Sequence, residues 1–408
     1  MYEKWIYRLR EDKVFPLSDT PVDQFKEIRE ADQRVFIDFA KNIIAPSCGA
    51  FPASADDNVE QIQPFWISNA VAITCSPEEH LRLQQHQKVL RVHQDIEYKL
   101  PASEVLCEDT ATVANAGAQR LWNLELLQVN EFCERHGLSG KGIRVGILDT
   151  GVDGEHPELS SKLKAYALVE DEREPREVVP GQEPQGMRHG THVAGIIVSD
   201  RYGIAVGAEL YVASVLNGAG GSSSWSKINK GLQWLISKNV DVINLSLGGG
   251  ISQEQDDLDE TFHTCVAKGI ALIAAIGNVP PGSTQYPGNS PYTFSVGATT
   301  IDDLLRPRSG SSRNLPKVVA PGENIISTIP DGNGILSGTS QAAPHITALF
   351  ALLKEACPSA SSDDILDAIS GTATHIPRVP VAHQGQGLIS YENSYLHLLA
   401  RTNYGNCP

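Results

Sequence analysis

Short apolar runs alternate with helical stripes from Arg120 onward. Strands are predicted from Ile143 to Leu148, Leu210 to Leu216, Val240 to Leu247, Ile270 to Ile276 and Tyr292 to Ala298. Between the second and third of these, Trp225, Ile228, Leu232, Leu235 and Ile236 recur at helical spacing. Continuous apolar runs mark strands buried on both faces, so the pattern predicts an α/β fold, a mostly parallel sheet with helices on both sides. The first hundred residues read differently. Phe25, Ile28, Val35, Phe36, Phe39 and Ile43 form a helical stripe between Pro21 and Ile44, and a strand is predicted from Phe65 to Ile73. Ser76-Pro77-Glu78-Glu79 has the makings of a helix start, with Ser76 as cap, Pro77 in the first turn and Glu79 closing a capping box. Val89 to Val92 and Ile96 to Tyr98 then predict a strand running towards Leu100. The division is therefore residues 1–100 as a small α+β unit of ferredoxin-like type, 101–118 as a turn-rich linker, and 119–408 as the α/β domain.

At 408 residues, 41% hydrophobic and 20% charged, the composition is that of a soluble globular protein. A formal charge of -16, with Lys and Arg scattered, sets aside nucleic acid and anionic membranes as partners, because either needs a concentrated basic face. The start, Met1-Tyr2-Glu3-Lys4-Trp5, leads into Arg8, Arg10, Glu11 and Asp12 without an apolar run. Neither a signal peptide nor a membrane span is expected, and the expected location is cytoplasmic, with export by another route left open. The seven cysteines are widely spaced and form no Cys-x-x-Cys pair, which predicts free thiols rather than a disulfide framework or a structural zinc site.

Three distant segments carry the chemistry: Leu148-Asp149-Thr150-Gly151, His189-Gly190-Thr191-His192-Val193-Ala194-Gly195, and Gly338-Thr339-Ser340-Gln341-Ala342-Ala343-Pro344-His345. A serine alcohol attacks a carbonyl poorly at neutral pH unless an imidazole takes its proton and a carboxylate orients that imidazole. Asp149 closes a predicted strand, where open α/β sheets place their sites. Read alone, Asp-Thr-Gly also marks aspartic peptidases, but those need a second such carboxylate motif and none occurs. His189 and His192 have a spacing that metals use, yet no Glu follows His189 and no third ligand is evident, so no metal and no cofactor are expected. Ser340, at the first turn of a helix through Ile346, Leu349 and Leu353, is either an ordinary capping serine or a nucleophile whose own amide faces a developing oxyanion.

Taken together, in the order Asp, His, Ser, these segments resemble those of the subtilisin-like serine peptidases over about Leu121 to Leu388. The resemblance implies a serine endopeptidase with Ser340 as nucleophile, His189 as base, Asp149 as its orienting carboxylate and His192 as structural. It further implies that Asn278, otherwise a turn residue after a strand, donates to the oxyanion. Gly221-Ser222-Ser223 and Ser246-Leu247-Gly248 match the two segments between which the family clamps a peptide or protein substrate as an added strand. Trp225 and Leu247 stand either in fourth-subsite walls or in ordinary core. The N-terminal unit resembles an inhibitory propeptide, which makes the chain its own partner and the protein a zymogen.

Departures from the family pattern sharpen the expectation. The loop after Gly195 that would hold a tight calcium ion is short, Gln341 replaces the usual methionine after the nucleophile, and Gln285 stands where a glycine often floors the primary pocket. A shallower, more polar primary pocket is expected. Two alternatives remain beside hydrolysis: a peptide-maturing transpeptidase and an inhibited, peptide-binding scaffold.

Overall fold

The computed structural model describes residues 3–10, 20–44, 62–95, 97–99, 121–170, 173–182, 187–216, 222–249, 255–278, 285–300, 316–330 and 332–401. The linker expected over 101–118 lies outside the described residues, as does Gly221.

The N-terminal elements follow the order β1 (Glu3–Leu9), α1 (Val22–Ile44), β2 (Ile62–Phe65), β3 (Ala70–Cys75), α2 (Pro77–Leu83) and β4 (Val89–Gln94). Their strands form an antiparallel sheet, β2-β3-β1-β4, which is the ferredoxin-like arrangement. The capping box of α2 forms as the sequence predicts, with Ser76 N–H donating to Glu79 Oε2 at 2.7 Å and Glu79 N–H to Ser76 Oγ at 3.4 Å. The single strand expected from Phe65 to Ile73 is instead a hairpin, because Asn69 takes a left-handed conformation (φ 48°) and the chain turns over Trp66–Asn69. Buried Gln33 fastens that turn, donating to the carbonyls of Phe65 (2.9 Å) and Ala70 (3.3 Å). The inward face of α1 is thus Phe25, Arg29, Gln33, Phe36, Ala40 and Ile44, while Val35, assigned to the stripe, is 54% exposed.

The larger unit opens with α3 (Trp122–Leu126) and α4 (Val129–His136). Then come β6 (Arg144–Asp149), β7 (Leu163–Leu168), β8 (Arg176–Glu177), α5 (Arg188–Val198), β9 (Glu209–Ser214), β10 (Ser222–Ser224), α6 (Trp225–Ser237), β11 (Val242–Leu245), α7 (Gln255–Ala267), β12 (Ala271–Ala275) and β13 (Phe294–Thr299). It ends with β14 (Val318–Pro321), the hairpin β15 (Ile325–Ile329) and β16 (Gly332–Leu336), α8 (Thr339–Ala356), α9 (Ser362–Gly371), α10 (Val381–Gln384) and α11 (Tyr391–Ala400). Eight strands make one sheet in the order β14-β13-β12-β11-β6-β9-β7-β8, parallel except for the β7–β8 edge. The chain builds outward from β6 to one side through β9 and β7, then crosses to the other through β11, β12 and β13. That reversal of order puts the carboxyl end of β6 at the crevice where such sheets bind ligands.

Both faces are covered. One core packs α5 and α8 against the sheet through residues such as Val193, Ile196, Ile346 and Leu349. The core on the other face holds α6 and α7 and continues without a break into the N-terminal unit, joining Leu232 and Phe262 to Ile6, Phe25, Phe65 and Trp66. Trp225 is at this seam, 0% exposed, with Phe65 edge-on at 5.0 Å and His93 at 5.7 Å. Polar contacts register the two surfaces. Ile67 N–H donates to Gln233 Oε1 (3.2 Å), Thr264 Oγ1 to the Ile67 carbonyl (3.0 Å), and Arg8 pairs with Glu260 (3.0 Å). Asp95 accepts from the Ser226 amide at the start of α6 (3.1 Å), placing a carboxylate at a helix N-terminus. Beyond it β5 (Glu97–Lys99) lies antiparallel on β10, Tyr98 opposite Ser223.

The expectation of free thiols fails at one position. Cys75, Cys133 and Cys265 are free, but Cys357 is disulfide-bonded to a residue outside those described. Spacing along the chain carries no information on which distant cysteines meet, which is why the sequence reading missed it. Among the described residues no helix is long and apolar enough to cross a membrane.

Candidate active site

Asp149 is the last residue of β6, fully buried, and its carboxylate meets His189 Nδ1 at 2.8 Å (Oδ1) and 3.0 Å (Oδ2). Oδ1 also accepts from the Thr150 amide at 2.6 Å, so the acid is held by its own turn. His189 sits in the first turn of α5, and two glycines let that helix come close enough. A Cβ on Gly190 would stand 2.1 Å from the Gly151 carbonyl and 3.2 Å from Asp149 Oδ1. Gly151 itself has φ +104°, and a Cβ there would strike the Tyr166 hydroxyl. The small residues around the acid and the base therefore set their separation.

Burial is the largest influence on the His189 pKa and lowers it, but the charge and the hydrogen bond of Asp149 together outweigh burial and hold it above its ordinary value. His192, one turn on, is structural in its contacts: Nε2–H donates to the carbonyls of Ile325 (2.9 Å) and Gly334 (3.2 Å), tying β15 and β16 to α5. Burial drives its pKa down to about 3, so it is neutral.

Ser340 is the second residue of α8, where backbone N–H groups lack intrahelical partners. Its hydroxyl donates to the Ser246 carbonyl at 3.2 Å rather than to His189. The Ser340 carbonyl would ordinarily accept from the residue four places on, but that residue is Pro344, which has no N–H. The Ser246 hydroxyl fills the gap, donating to Ser340 O at 2.8 Å, and is in turn held by Asn244 Nδ2 at 2.8 Å. Thr347 Oγ1 binds the other end of the Asn244 amide at 2.9 Å. Asn244 and Pro344 were not singled out from sequence. The partner of a buried asparagine cannot be read along the chain, whereas a proline four residues after a candidate nucleophile is a signal that was available.

Asn278 follows β12 and its amide is fixed by Thr339, whose N–H (2.8 Å) and hydroxyl (3.0 Å) both donate to Oδ1. The amide nitrogen is left facing away from Thr339, beside Gly338, where a Cβ would come within 2.9 Å of it. Gly338 has φ +151°, so both the space and the backbone call for glycine. Asn278 N–H donates to Gln285 Oε1 at 3.3 Å. Gln341, 1% exposed, has no hydrogen-bond partner at either amide atom.

Of the residues expected to flank a substrate, Ser246 meets Ser340 directly, and Gly248, two residues on, faces Gln285. The backbone of Ser222 and Ser223 is occupied by β5, while Trp225 is buried core beneath the N-terminal unit. An apolar cavity bounded by Leu216, Ile228, Leu247, Gly248 and Tyr286 adjoins them. Among the described residues, no group of three or more His, Cys, Asp or Glu side chains is placed to hold a metal ion.

Comparison with known proteins bears on the same segments. The profile of the Subtilase family, Peptidase_S8, matches residues 140–390, a stretch that contains Asp149, His189, Asn278 and Ser340. The chain is 30% identical to M-protease of Shouchella clausii (strain KSM-K16) over 370 residues, 88% of each protein. It is 35% identical over 266 residues both to Subtilisin E of Bacillus subtilis (strain 168), covering 63% of this chain and 66% of that one, and to Subtilisin of Bacillus pumilus, covering 92% of the latter. With a doubly covered parallel sheet, a family match over more than half its length and relatives of this similarity, the chain belongs to the subtilase family and is a subtilisin-like serine endopeptidase.

Proposed function

We propose that the protein hydrolyses peptide bonds through an acyl-enzyme, with Ser340, His189 and Asp149 as its triad and Asn278 completing the oxyanion site. The observation that carries this is the bidentate approach of the Asp149 carboxylate to His189 Nδ1 at 2.8 and 3.0 Å, which fixes the tautomer with its basic Nε2 directed away from the acid. Rotation of the Ser340 hydroxyl from the Ser246 carbonyl towards Nε2 starts the reaction. Oγ attacks the scissile carbonyl carbon as its proton passes to Nε2, and the carbonyl oxygen takes up negative charge between Asn278 Nδ2 and the Ser340 amide. Collapse breaks the C–N bond, and His189 hands its proton to the departing amine. Water then adds to the ester, giving a proton to His189, and the C–Oγ bond breaks as Oγ recovers it.

The N-terminal unit acts as a covalently attached inhibitor and folding partner. Its β5 takes the edge of β10 that a substrate strand would use, and its sheet buries Trp225. The protein is accordingly a zymogen, processed in the segment after β5.

Incubation of wild type and Ser340→Ala, followed by sequencing of their N-termini, tests both statements. Wild type is expected to lose the N-terminal unit and to label with a fluorophosphonate, and the variant to do neither. Equal processing of the two would overturn self-cleavage, and absence of labelling in processed wild type would overturn the triad. Product masses one water heavier than the intact peptide identify hydrolysis, and ligated products would identify transpeptidation instead.

A further inference from the structure

We infer that Gln285 closes the floor of the primary specificity pocket, so that the residue whose carbonyl Ser340 attacks must carry a small side chain such as that of Ala or Ser. This rests on the proposed triad and oxyanion site. If the scissile carbonyl lies between Asn278 Nδ2 and the Ser340 amide, the side chain of that residue enters the space flanked by the segments that leave β11 and β12. Those segments carry Gly248 and Gly277, and the backbone at Gln285 and Tyr286 bridges them. Gly249 N–H donates to Tyr286 O at 2.8 Å, Tyr286 N–H to Gly249 O at 3.3 Å, and Gln285 N–H to Ile276 O at 3.1 Å.

The two glycines would leave room for a large side chain, but Gln285 takes it. A Cβ built on Gly277 would meet Gln285 Oε1, Cβ and Cγ at 2.6, 2.8 and 2.9 Å, and one on Gly248 would meet Gln285 Cβ at 3.2 Å. The glutamine is therefore wedged between the walls, 9% exposed, and the Asn278 amide holds its Oε1 at 3.3 Å. Moving it aside for an aromatic ring would break that bond and disturb the residue proposed to bind the oxyanion.

The full chain, incubated to allow processing, is assayed on peptides that differ only at the residue before the cut. We expect kcat/KM for Ala and Ser to exceed that for Phe by about tenfold or more. Gln285→Gly should raise the Phe-to-Ala ratio by about tenfold or more, and Gln285→Ser should raise it less. If Gln285→Gly does not fold, as read by its melting temperature, Gln285→Ser and the wild-type profile decide. Equal or better cleavage after Phe by wild type overturns the inference, as does an unchanged ratio in a folded variant. Fluorophosphonate labelling separates the two levels: labelled enzyme that prefers Phe refutes only the role of Gln285, whereas unlabelled enzyme refutes the triad beneath it.

Discussion

Ser340 and Ser246 hold each other reciprocally: the Ser340 hydroxyl donates to the Ser246 carbonyl at 3.2 Å, and the Ser246 hydroxyl donates to the Ser340 carbonyl at 2.8 Å. The second bond satisfies an acceptor that Pro344 orphans, and it ties the proposed nucleophile to a segment proposed to border substrate. Ser246→Ala leaves that buried carbonyl unpaired. The expected result is a stability loss of about 1–2 kcal/mol, together with a fall in kcat of about tenfold at little change in KM. A lower melting temperature with unaltered kcat would show that the pair holds the fold and not the reaction.

The activity profile should follow His189. Its pKa lies above the ordinary value, and as the proposed base it can act only when neutral, so kcat/KM is expected to rise with pH through an apparent pKa above about 6.5. The stabilising pair with Asp149 runs the other way, fully present below the ordinary histidine pKa and lost as pH rises through the raised one. Asp149→Asn removes the charge, so the limb should move to lower pH and its height should drop. A limb left in place would mean another group titrates there.

Acid should unfold the protein through histidines that take no part in the chemistry. His192 is held neutral with its pKa near about 3, and burial lowers that of His345 to about 4. His345 donates from Nδ1 to the Gln341 carbonyl (2.9 Å) and meets the Asn123 amide nitrogen at Nε2 (3.0 Å), so a second ring proton has no acceptor. Unfolded chains bind that proton near about pH 6.5, hence stability falls as pH drops from there towards 4. His345→Gln is expected to flatten the slope in that window by about 1.4 kcal/mol per pH unit, measured by denaturant titration at several pH values.

Peroxide should spare activity, because a glutamine and not a thioether follows Ser340, the proposed nucleophile. The methionine nearest the site in sequence, Met187, holds α5 through its backbone carbonyl, which accepts from Thr191. Gln341→Met replaces a buried amide that has no partner. It is expected to raise stability by about 1 kcal/mol and to introduce peroxide sensitivity, read as residual activity after timed exposure. Rapid inactivation of wild type would contradict this.

The short stretch after Gly195 predicts that the tight calcium site of the family is missing. A chelator should then leave the melting temperature in place, since an ion that binds only the folded state is what makes stability depend on its supply. A large drop with EDTA would restore the site.

The central strands were legible because they are largely buried and read as mostly apolar runs, a polar residue such as Asn244 being the exception. β1 was not, since Lys4 and Arg8 interrupt it, and their partners Asp95 and Glu260 are far away in sequence. The hairpin β15–β16 escaped for a similar reason. Ser327 and Thr328 are polar by type but fully buried, their hydroxyls taken up by the carbonyls of His192 and Thr191 at 2.8 Å each. Asp149 and His189 could be paired from the order of their motifs, because each brings its own small-residue packing. The Ser246–Ser340 exchange and the wedge at Gln285 depend on which chain segments meet, and no local pattern encodes that.

The continuity of the apolar core from the N-terminal sheet to Trp225 and Leu232 has a further consequence for how the molecule melts. Before processing, heat should take both parts apart in one cooperative step, since neither closes its apolar surface without the other. If the covalent tie is cut as proposed and the small sheet departs, an indole and its aliphatic neighbours would face water, and the liberated domain would either recover that face with a bound peptide or become the stickier of the two species.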